Sequence, residues 1–331
     1  MSISIMSQSE LCKGGCLMTS VIFMGTPDFS VPVLEGLVKH GYVVKAVVTQ
    51  PDKKVGRKQK ITKSPAKLAA EKLNLPVFQP VKLSGSEELD NLIAMHADLI
   101  VTAAYGQFLP TKFLKSVKIA AVNVHGSLLP KYRGGAPVQY SLLNGDAKTG
   151  ITIMEMVKKM DAGDIYAQKA LKIEPDDTTG SLFTKLAILG RDLLLETLPK
   201  IIDGSVRKIP QDPDKVVFSP NISKKQEKIT LSMTATEANN LIRALNPDPG
   251  AYLMVDGKRL KVWKAKVSKD QTKLEAGSLV SNKNRFAISF ANHTILDLLE
   301  LQPAGKKRMT VKNFLNGQGS KFKPEEKIID D

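Results

Sequence analysis

The chain has 331 residues, a length that favours two domains over one. Its formal net charge of +15 indicates a polyanionic partner, because neutralising phosphates releases their counterions. The 42% hydrophobic content is ordinary for a soluble globular protein, and no apolar run approaches the roughly 20 residues that cross a bilayer. Composition therefore argues against a membrane protein.

Residues 1–17 differ from the rest of the chain. They lack the basic start and continuous apolar block of a secretory signal, so we expect a disordered extension or an upstream start, with Met18 as a natural first residue. Both cysteines, Cys12 and Cys16, lie in this segment, and a metal site there would need ligands from elsewhere. We expect no metal, no disulfide and a cytoplasmic location, since the remainder has no cysteine.

Residues 18–203 alternate between strand-like and helix-like segments. The strands are predicted at residues 21–24, 43–49, 98–103 and 119–124, and the helices at 29–39 and 66–73. This alternation predicts a mostly parallel sheet covered on both faces, that is, a doubly wound Rossmann-like α/β domain. Two further strands (151–156 and 165–173) and one long helix (178–202) complete it.

The sequence changes character beyond residue 203. Residues 204–228 contain the glycine, the prolines and the charge run of a linker. Residues 229–319 contain one short helix (234–245) and about five short strands, which favour a small barrel such as the OB fold, a fold that binds nucleic acid. We expect residues 320–331 to form a charged tail.

The most informative motif is Asn123-Val124-His125, at the carboxyl end of a predicted strand, where open α/β sheets place their sites. Alternation along the strand puts Asn123 and His125 on the same side. Such a pair suits the attack of an amine on an acyl carbon, because both can stabilise the oxyanion and the histidine can accept the amine proton. A satisfied core histidine is the alternative, but the Gly126 turn and the loop at residues 130–137 favour a site.

An imidazole in this role requires an acid that orients or charges it. Asp161 of Met160-Asp161-Ala162-Gly163 is the candidate, in a tight loop between two predicted strands. An ordinary turn aspartate is the alternative.

Residues 50–63 form an unusually long βα connection that also lies at the carboxyl edge of the sheet. A charge run is usually a solvated surface, but length, basicity and position together favour a loop that folds against RNA phosphates. Its basic residues are Lys53, Lys54, Arg57, Lys58, Lys60 and Lys63.

Two other motifs are misleading. Gly25-Thr26-Pro27 follows the first strand, but no further glycine opens the helix, so we predict no NAD site. Ser127 lies close to His125 without a nucleophile-elbow pattern, so we predict no hydrolase triad.

The combination of motifs resembles the formyltransferase family that uses 10-formyltetrahydrofolate. The family's Asn-x-His and the loop that follows it are matched by Asn123, His125, Ser127 to Pro130, Gly134 or Gly135, and Pro137, and its Asp-x-Gly loop by Asp161. The segments at residues 23–29, 50–52, 64–65 and 307–309 are similar to those of members that act on methionyl initiator tRNA. The resemblance covers residues 18–319.

The resemblance implies formyl transfer from 10-formyltetrahydrofolate to the α-amino group of methionyl initiator tRNA, by direct amine attack through a tetrahedral intermediate. It assigns the oxyanion to Asn123 and His125, and the proton to His125 and Asp161. It implies a folate pocket formed by Tyr105, Gly106, Gln107, Ser127, Leu128, Leu129, Pro130, Gly134 and Pro137. It implies tRNA contacts from the basic loop, with Arg57 at the acceptor end, and from the barrel, including Lys258, Arg259, Lys307 and Arg308.

Three alternatives remain at this point. Formyl transfer to a small amine would not need the basic loop or the basic barrel, and a 10-formyltetrahydrofolate hydrolase would activate water with the same three residues. A non-catalytic RNA-binding protein would not need Asn123, His125 and Asp161 together. For the favoured function we expect a monomer with no DNA or membrane partner.

Overall fold

The computed structural model describes residues 18–55 and 59–330. The expected extension at residues 1–17, and Arg57 and Lys58 of the basic loop, lie outside these residues. The described chain divides into two compact units. One contains the residues up to Val124 with 155–158 and 194–207, and the other contains His125–Met154, Lys159–Leu193 and the residues from Lys208 onward.

The elements in the first half of the chain follow the predicted alternation. They are β1 (Ser20–Gly25), α1 (Val31–Lys39), β2 (Val43–Val48), β3 (Lys53–Val55), β4 (Lys60–Thr62), α2 (Pro65–Lys72), β5 (Val77–Phe78), α3 (Glu87–Ala94), β6 (Leu99–Ala103), α4 (Thr111–Leu114), β7 (Ala120–His125), α5 (Pro137–Leu143), β8 (Lys148–Glu155), β9 (Ile165–Lys172) and α6 (Thr179–Ile202).

The first unit is built on a parallel sheet. Its strands lie in the order β5-β2-β1-β6-β7, and each neighbouring pair is parallel. On one face Ile22, Met24 and Ile100 pack with Leu89 and Leu92 of α3. Helices α1 and α2 contact β2 and each other. Strands buried on both faces read as continuous apolar runs, which is why the sequence predicted this doubly wound, Rossmann-like domain correctly.

The basic loop after β2 contains a short hairpin that the sequence did not predict. Strands β3 and β4 are antiparallel, with Lys53 opposite Thr62 and Lys54 opposite Ile61. The described side chains of both strands are exposed. The hairpin therefore presents its lysines to solvent.

The remaining elements belong to the second unit. They are α7 (Ala235–Ala244), β10 (Ala251–Val255), β11 (Lys258–Gln271), β12 (Leu279–Ser281), β13 (Phe286–Ser289), β14 (Thr294–Pro303), β15 (Met309–Thr310), α8 (Val311–Leu315) and β16 (Ile329–Asp330). The strands form an antiparallel sheet in the order β12-β13-β14-β11-β10-β16, with β15 on β14. Helix α7 begins at Thr234 with a capping box to Glu237, a pattern that the sequence shows.

The expected charged tail at residues 320–331 was wrong as a description of this segment. Phe322, Ile328 and Ile329 are buried in the core of the antiparallel domain, and β16 pairs with β10. The residues before β16 bond to the opposite edge of the sheet, where Glu325 N donates to Leu279 O (2.7 Å) and Ile328 N to Gly277 O (3.0 Å). This segment thus contacts both edges of the sheet. Its three core residues were not recognised in the sequence because most residues around them are charged.

The predicted linker also makes regular contacts within the second unit. Arg133 N donates to Val217 O, Ser219 N donates to Arg133 O, and Ile165 and Ile209 exchange two backbone hydrogen bonds. Residues 208–219 are therefore held against the loops that follow β7 and precede β9. Within residues 18–55 and 59–330, no helix is long and apolar enough to span a membrane.

Candidate active site

His125 ends strand β7 and is 5% exposed. Its Nε2 lies 2.9 Å from the backbone carbonyl oxygen of Tyr132. A carbonyl oxygen only accepts hydrogen bonds, so Nε2 must carry a hydrogen and donate it. The neutral ring therefore presents the lone pair of Nδ1, which makes Nδ1 the nitrogen that can accept a proton.

The carboxylate of Asp161 faces that nitrogen. Its Oδ2 lies 3.8 Å from His125 Nδ1 and accepts a hydrogen bond from Gly134 N (2.9 Å). The distance is too long for a hydrogen bond but suits an ion pair once Nδ1 is protonated. Asp161 has a backbone φ of +47°, a left-handed conformation that only a small fraction of aspartates adopt. The pair expected from the sequence is thus brought together.

The loop between β7 and α5 depends on close backbone packing at Gly134. This residue has a φ of +126°, and a Cβ placed on it would lie 2.6 Å from Ser219 O. No other residue fits without moving the segment around Ser219, within the predicted linker. Gly134 can therefore bring its N–H to Asp161.

Hydrogen bonds between the backbone and two side-chain hydroxyls hold the start of this loop. Ser127 is buried and donates to Lys131 O (2.6 Å), while Thr152 donates to Ser127 O and accepts from Leu129 N. The Leu129-Pro130 peptide is cis. Leu128 packs against Gly150, and Pro137 is the first residue of α5. The hydrogen bonds of Ser127 and Thr152 thus anchor the Ser-Leu-Leu-Pro stretch that follows His125.

Asn123 belongs to the first unit and is half-buried, two residues before the end of β7. Its Oδ1 accepts a hydrogen bond from the hydroxyl of Thr102 on β6 (2.7 Å). This bond fixes the orientation of the amide and leaves both Nδ2 hydrogens to donate. An amide held in this way presents the donors that an oxyanion requires.

The segment after β6 makes a sharp turn in the first unit, with Ala104 and Gly106 both at positive φ. Gln107 accepts from Leu83 N and donates to Val81 O, so its side chain holds the neighbouring loop. Tyr105 is 4% exposed, and burial raises its pKa to about 12. The buried Tyr105 hydroxyl has no hydrogen-bond partner among the described residues, and the residue packs in the hydrophobic core of the first unit.

The predicted tRNA-binding residues lie on two surfaces. On the hairpin, Lys53, Lys54 and Lys60 are exposed, whereas Lys63 forms an ion pair with Glu71 (2.8 Å). On the antiparallel domain, Lys258, Arg259, Lys307 and Arg308 are exposed.

Cations on the antiparallel domain lie over aromatic rings. The guanidinium of Arg308 is 5.2 Å from the Trp263 ring and also pairs with Glu300, while that of Arg259 is 4.3 Å from the Tyr252 ring. In such a pair the ring can stack a base, and the cation can neutralise a phosphate.

Three contributors escaped the sequence analysis. Thr102 orients Asn123, the Tyr132 carbonyl fixes the tautomer of His125, and Gln211 of the predicted linker bonds to the backbone of Asp161 and Gly163. The Gly163–Gln211 and Asp161–Gln211 contacts span about 50 residues of chain. No local sequence signal announces such a contact.

Comparison with known proteins agrees with this architecture. A family model described as formyl transferase matches residues 18–198, and one described as formyl transferase, C-terminal domain, matches residues 221–319. The chain belongs to the formyl transferase family.

Similar proteins extend over nearly the whole chain. The methionyl-tRNA formyltransferase of Lactobacillus acidophilus is 77% identical over 95% of this chain and 100% of its own length. The methionyl-tRNA formyltransferase of Lacticaseibacillus casei is 56% identical over 95% and 99%. Among solved structures, an N-formyltransferase from Helicobacter canadensis in complex with folinic acid and dTDP-3-aminofucose has a TM-score of 0.66 at 20% identity, covering 86% of this chain and 100% of that one. This last likeness shows a shared fold.

Proposed function

We propose that this protein transfers the formyl group of 10-formyltetrahydrofolate to the α-amino group of methionine carried by initiator tRNA. The observation that carries the proposal is the pairing of His125 Nδ1 with Asp161 Oδ2, 3.8 Å apart, at the end of β7. The 77% identity to a methionyl-tRNA formyltransferase over almost the entire chain supports the choice of reaction.

His125 accepts the proton that the attacking amine loses. Its Nε2–H is committed to the Tyr132 carbonyl, so the proton goes to Nδ1. The resulting imidazolium then faces the carboxylate of Asp161, and this ion pair stabilises it. The same proton is available to the nitrogen that leaves, so the amine gains an N–C bond as the donor loses one.

Asn123 contributes the donors for the developing negative charge. Its amide oxygen is occupied by the Thr102 hydroxyl, so the Nδ2 hydrogens point away from that bond. A prearranged donor of this kind needs no reorganisation when charge appears on the former carbonyl oxygen. Removing one such donor in other enzymes lowers kcat by about 10²–10³-fold.

The folate is the source of the formyl carbon. Tyr105, Gly106 and Gln107, and the loop from Ser127 to Pro137, are the segments proposed to hold it. Among these residues Gly106 is exposed, whereas Tyr105 is buried in the core of the first unit. Gly106, which is exposed and at positive φ, leaves backbone that a flat ligand can approach closely.

The tRNA is proposed to bind the hairpin and the antiparallel domain. Lys53, Lys54 and Lys60 are exposed on two short strands, and the Trp263 ring carries two neighbouring cations, Arg308 and Lys261. The proposal extends to Arg57 and Lys58 by their position in the same basic loop. A cytoplasmic monomer with no DNA partner is part of the same proposal.

The test is formyl transfer to charged initiator tRNA by wild type, His125→Asn and His96→Asn. Asparagine at position 125 keeps a hydrogen-bond donor but cannot accept a proton at neutral pH, so transfer should fall about 10²–10⁴-fold. His96 is exposed and provides the matched control. Wild type that consumes the folate without forming formylated tRNA would favour the hydrolase, and wild type that formylates only small amines would favour that alternative.

A further inference from the structure

Gln211 is half-buried in the irregular segment after α6 and makes four hydrogen bonds. Its Nε2 donates to Asp161 O (2.8 Å) and to Gly163 O (2.7 Å). Its Oε1 accepts from Nε (3.0 Å) and Nη2 (2.8 Å) of Arg133. Both hydrogens and both lone pairs of one amide are thus used.

Arg133 determines which way this amide faces. A guanidinium has donors only, so Oε1 must face Arg133 and Nε2 must face the two carbonyls. Arg133 is itself only 5% exposed, and its backbone is bonded to Val217 and Ser219. A buried cation on Oε1 polarises the amide and strengthens the two bonds that Nε2 donates.

The two carbonyls that Gln211 binds lie on either side of Ala162 in the turn that carries Asp161. Asp161 has a φ of +47°, a conformation that persists only where its surroundings hold it. Its carboxylate must at the same time reach Gly134 N and face His125 Nδ1. Gln211 fixes the backbone at this strained residue and two residues beyond it, and Gly134 fixes the side chain.

We propose that Gln211 is a positioning residue that holds the Asp161 turn so that its carboxylate faces His125 Nδ1. This inference rests on the proposed function, because it gives Asp161 a role in formyl transfer. It assigns to the predicted linker a part in the chemistry that neither charge nor periodicity indicates. Arg133 acts behind Gln211, as the cation that orients its amide.

Gln211→Glu is the variant that isolates this role. The introduced carboxylate can still accept the hydrogen bonds of Arg133, so the fold should be retained. It cannot donate to the carbonyls of Asp161 and Gly163. We expect kcat to fall by about 10²-fold, the loss that a displacement of about 1 Å causes, with KM for both substrates unchanged. Gln271→Glu introduces the same charge at an exposed position in β11 and should match wild type.

The double variant tests whether the effect passes through Asp161. In an Asp161→Asn background, Gln211→Glu should add less than about a twofold loss, because residues that act as a unit are not additive. A loss that multiplies fully in the double variant, or a Gln211→Glu enzyme with wild-type kcat, would overturn the inference. If Gln211→Glu folds poorly, Gln211→Asn replaces it in the test. This variant keeps the amide on a shorter side chain, and its kcat should fall by less than that expected for Gln211→Glu.

A readout that needs no substrate separates this inference from the proposed function. The Gly134 amide donates to Asp161 Oδ2, so its NMR resonance should move in Asp161→Asn and in the same direction in Gln211→Glu, but not in Gln271→Glu. An unmoved Gly134 resonance in Gln211→Glu refutes the positioning role. If the Gly134 resonance moves in Gln211→Glu but the wild-type protein forms no formylated tRNA, the proposed function is refuted and the positioning role stands.

Discussion

The Nε2 atom of His125 lies 2.9 Å from the backbone carbonyl oxygen of Tyr132. This hydrogen bond comes from the main chain, so no side-chain substitution at position 132 removes it directly. Tyr132 itself has a φ of +65° and is buried, with its hydroxyl donating to Asp146 (2.6 Å). The loop geometry therefore selects the tautomer of His125. The role of Asp161 is to stabilise the positive charge that forms when Nδ1 is protonated.

Asp161→Asn should remove the negative charge of the carboxylate without disturbing the loop. Asparagine can still accept the hydrogen bond from Gly134 and tolerates the positive φ, so folding should be unchanged. The imidazolium would lose its ion pair, and single-turnover formyl transfer should slow by about 10²–10⁴-fold. Asp176→Asn, at an exposed position, is the control. Asp161→Asn that transfers formyl at the wild-type rate would show that the carboxylate has no part in the chemistry.

The parallel sheet, and the positions of Asn123 and His125 on one of its strands, were predictable because their signals are local. Buried strands give continuous apolar runs, and the Asn-x-His motif follows such a run directly. Even the start of α7 could be predicted, from Thr234 and Glu237 of its capping box.

The parts that escaped prediction depend on residues distant in sequence. Gln211 reaches Asp161 about 50 residues away, and it lies among prolines and aspartates that are typical of a linker. The last segment was misjudged because Phe322, Ile328 and Ile329 are outnumbered by charged neighbours, and only the edges of the sheet reveal why they are buried. The hairpin in the basic loop is short and exposed, so no hydrophobic pattern marks it.

Lys54→Gln should weaken tRNA binding, because it removes a positive charge from the hairpin that is proposed to bind the phosphates. Lys54 is exposed on β3, and a lysine that neutralises one phosphate contributes about 1 to the slope of log affinity against log salt concentration, so the variant should have a slope smaller by about that amount. The same change at Lys39, an exposed residue at the end of α1, is the control. We expect kcat at saturating tRNA to remain near that of wild type. A Lys54→Gln protein with an unchanged salt slope would place the tRNA away from the hairpin.

Phe322→Ala should destabilise the antiparallel domain by about 3–5 kcal/mol, the usual cost of removing a buried phenylalanine. Phe322 is 6% exposed, and its ring centroid lies 6.0 Å from that of Phe286. Lys323→Ala, one residue further on and exposed, should change stability by less than about 0.5 kcal/mol. Urea unfolding of the two variants measures the difference. Equal stabilities would mean that the chain end does not contribute to the core.

The stability of the first unit should fall in acid through Asp98. Burial raises the pKa of this carboxyl, but hydrogen bonds from the Ser20 hydroxyl (2.6 Å) and N–H (2.7 Å) and from Lys118 (3.1 Å) outweigh it, and the pKa falls to about 2. A folded pKa below the unfolded value of about 3.9 means that the stabilisation is complete above about pH 4. It is then lost as the pH falls towards 2.

Asp98→Asn should remove this pH dependence. The difference in the free energy of unfolding between wild type and variant should be constant above about pH 4 and shrink between about pH 4 and 2. Protonation removes the negative charge of Asp98, and with it the stronger hydrogen bonds from Ser20 and Lys118. Urea unfolding at successive pH values provides the measurement, and taking the difference removes the carboxyls that titrate in both proteins. Asp90→Asn, at an exposed residue paired with Lys112, should leave the wild-type curve almost unchanged. A difference that stays constant down to pH 2 would mean that the Ser20 hydrogen bonds do not depend on the charge of Asp98.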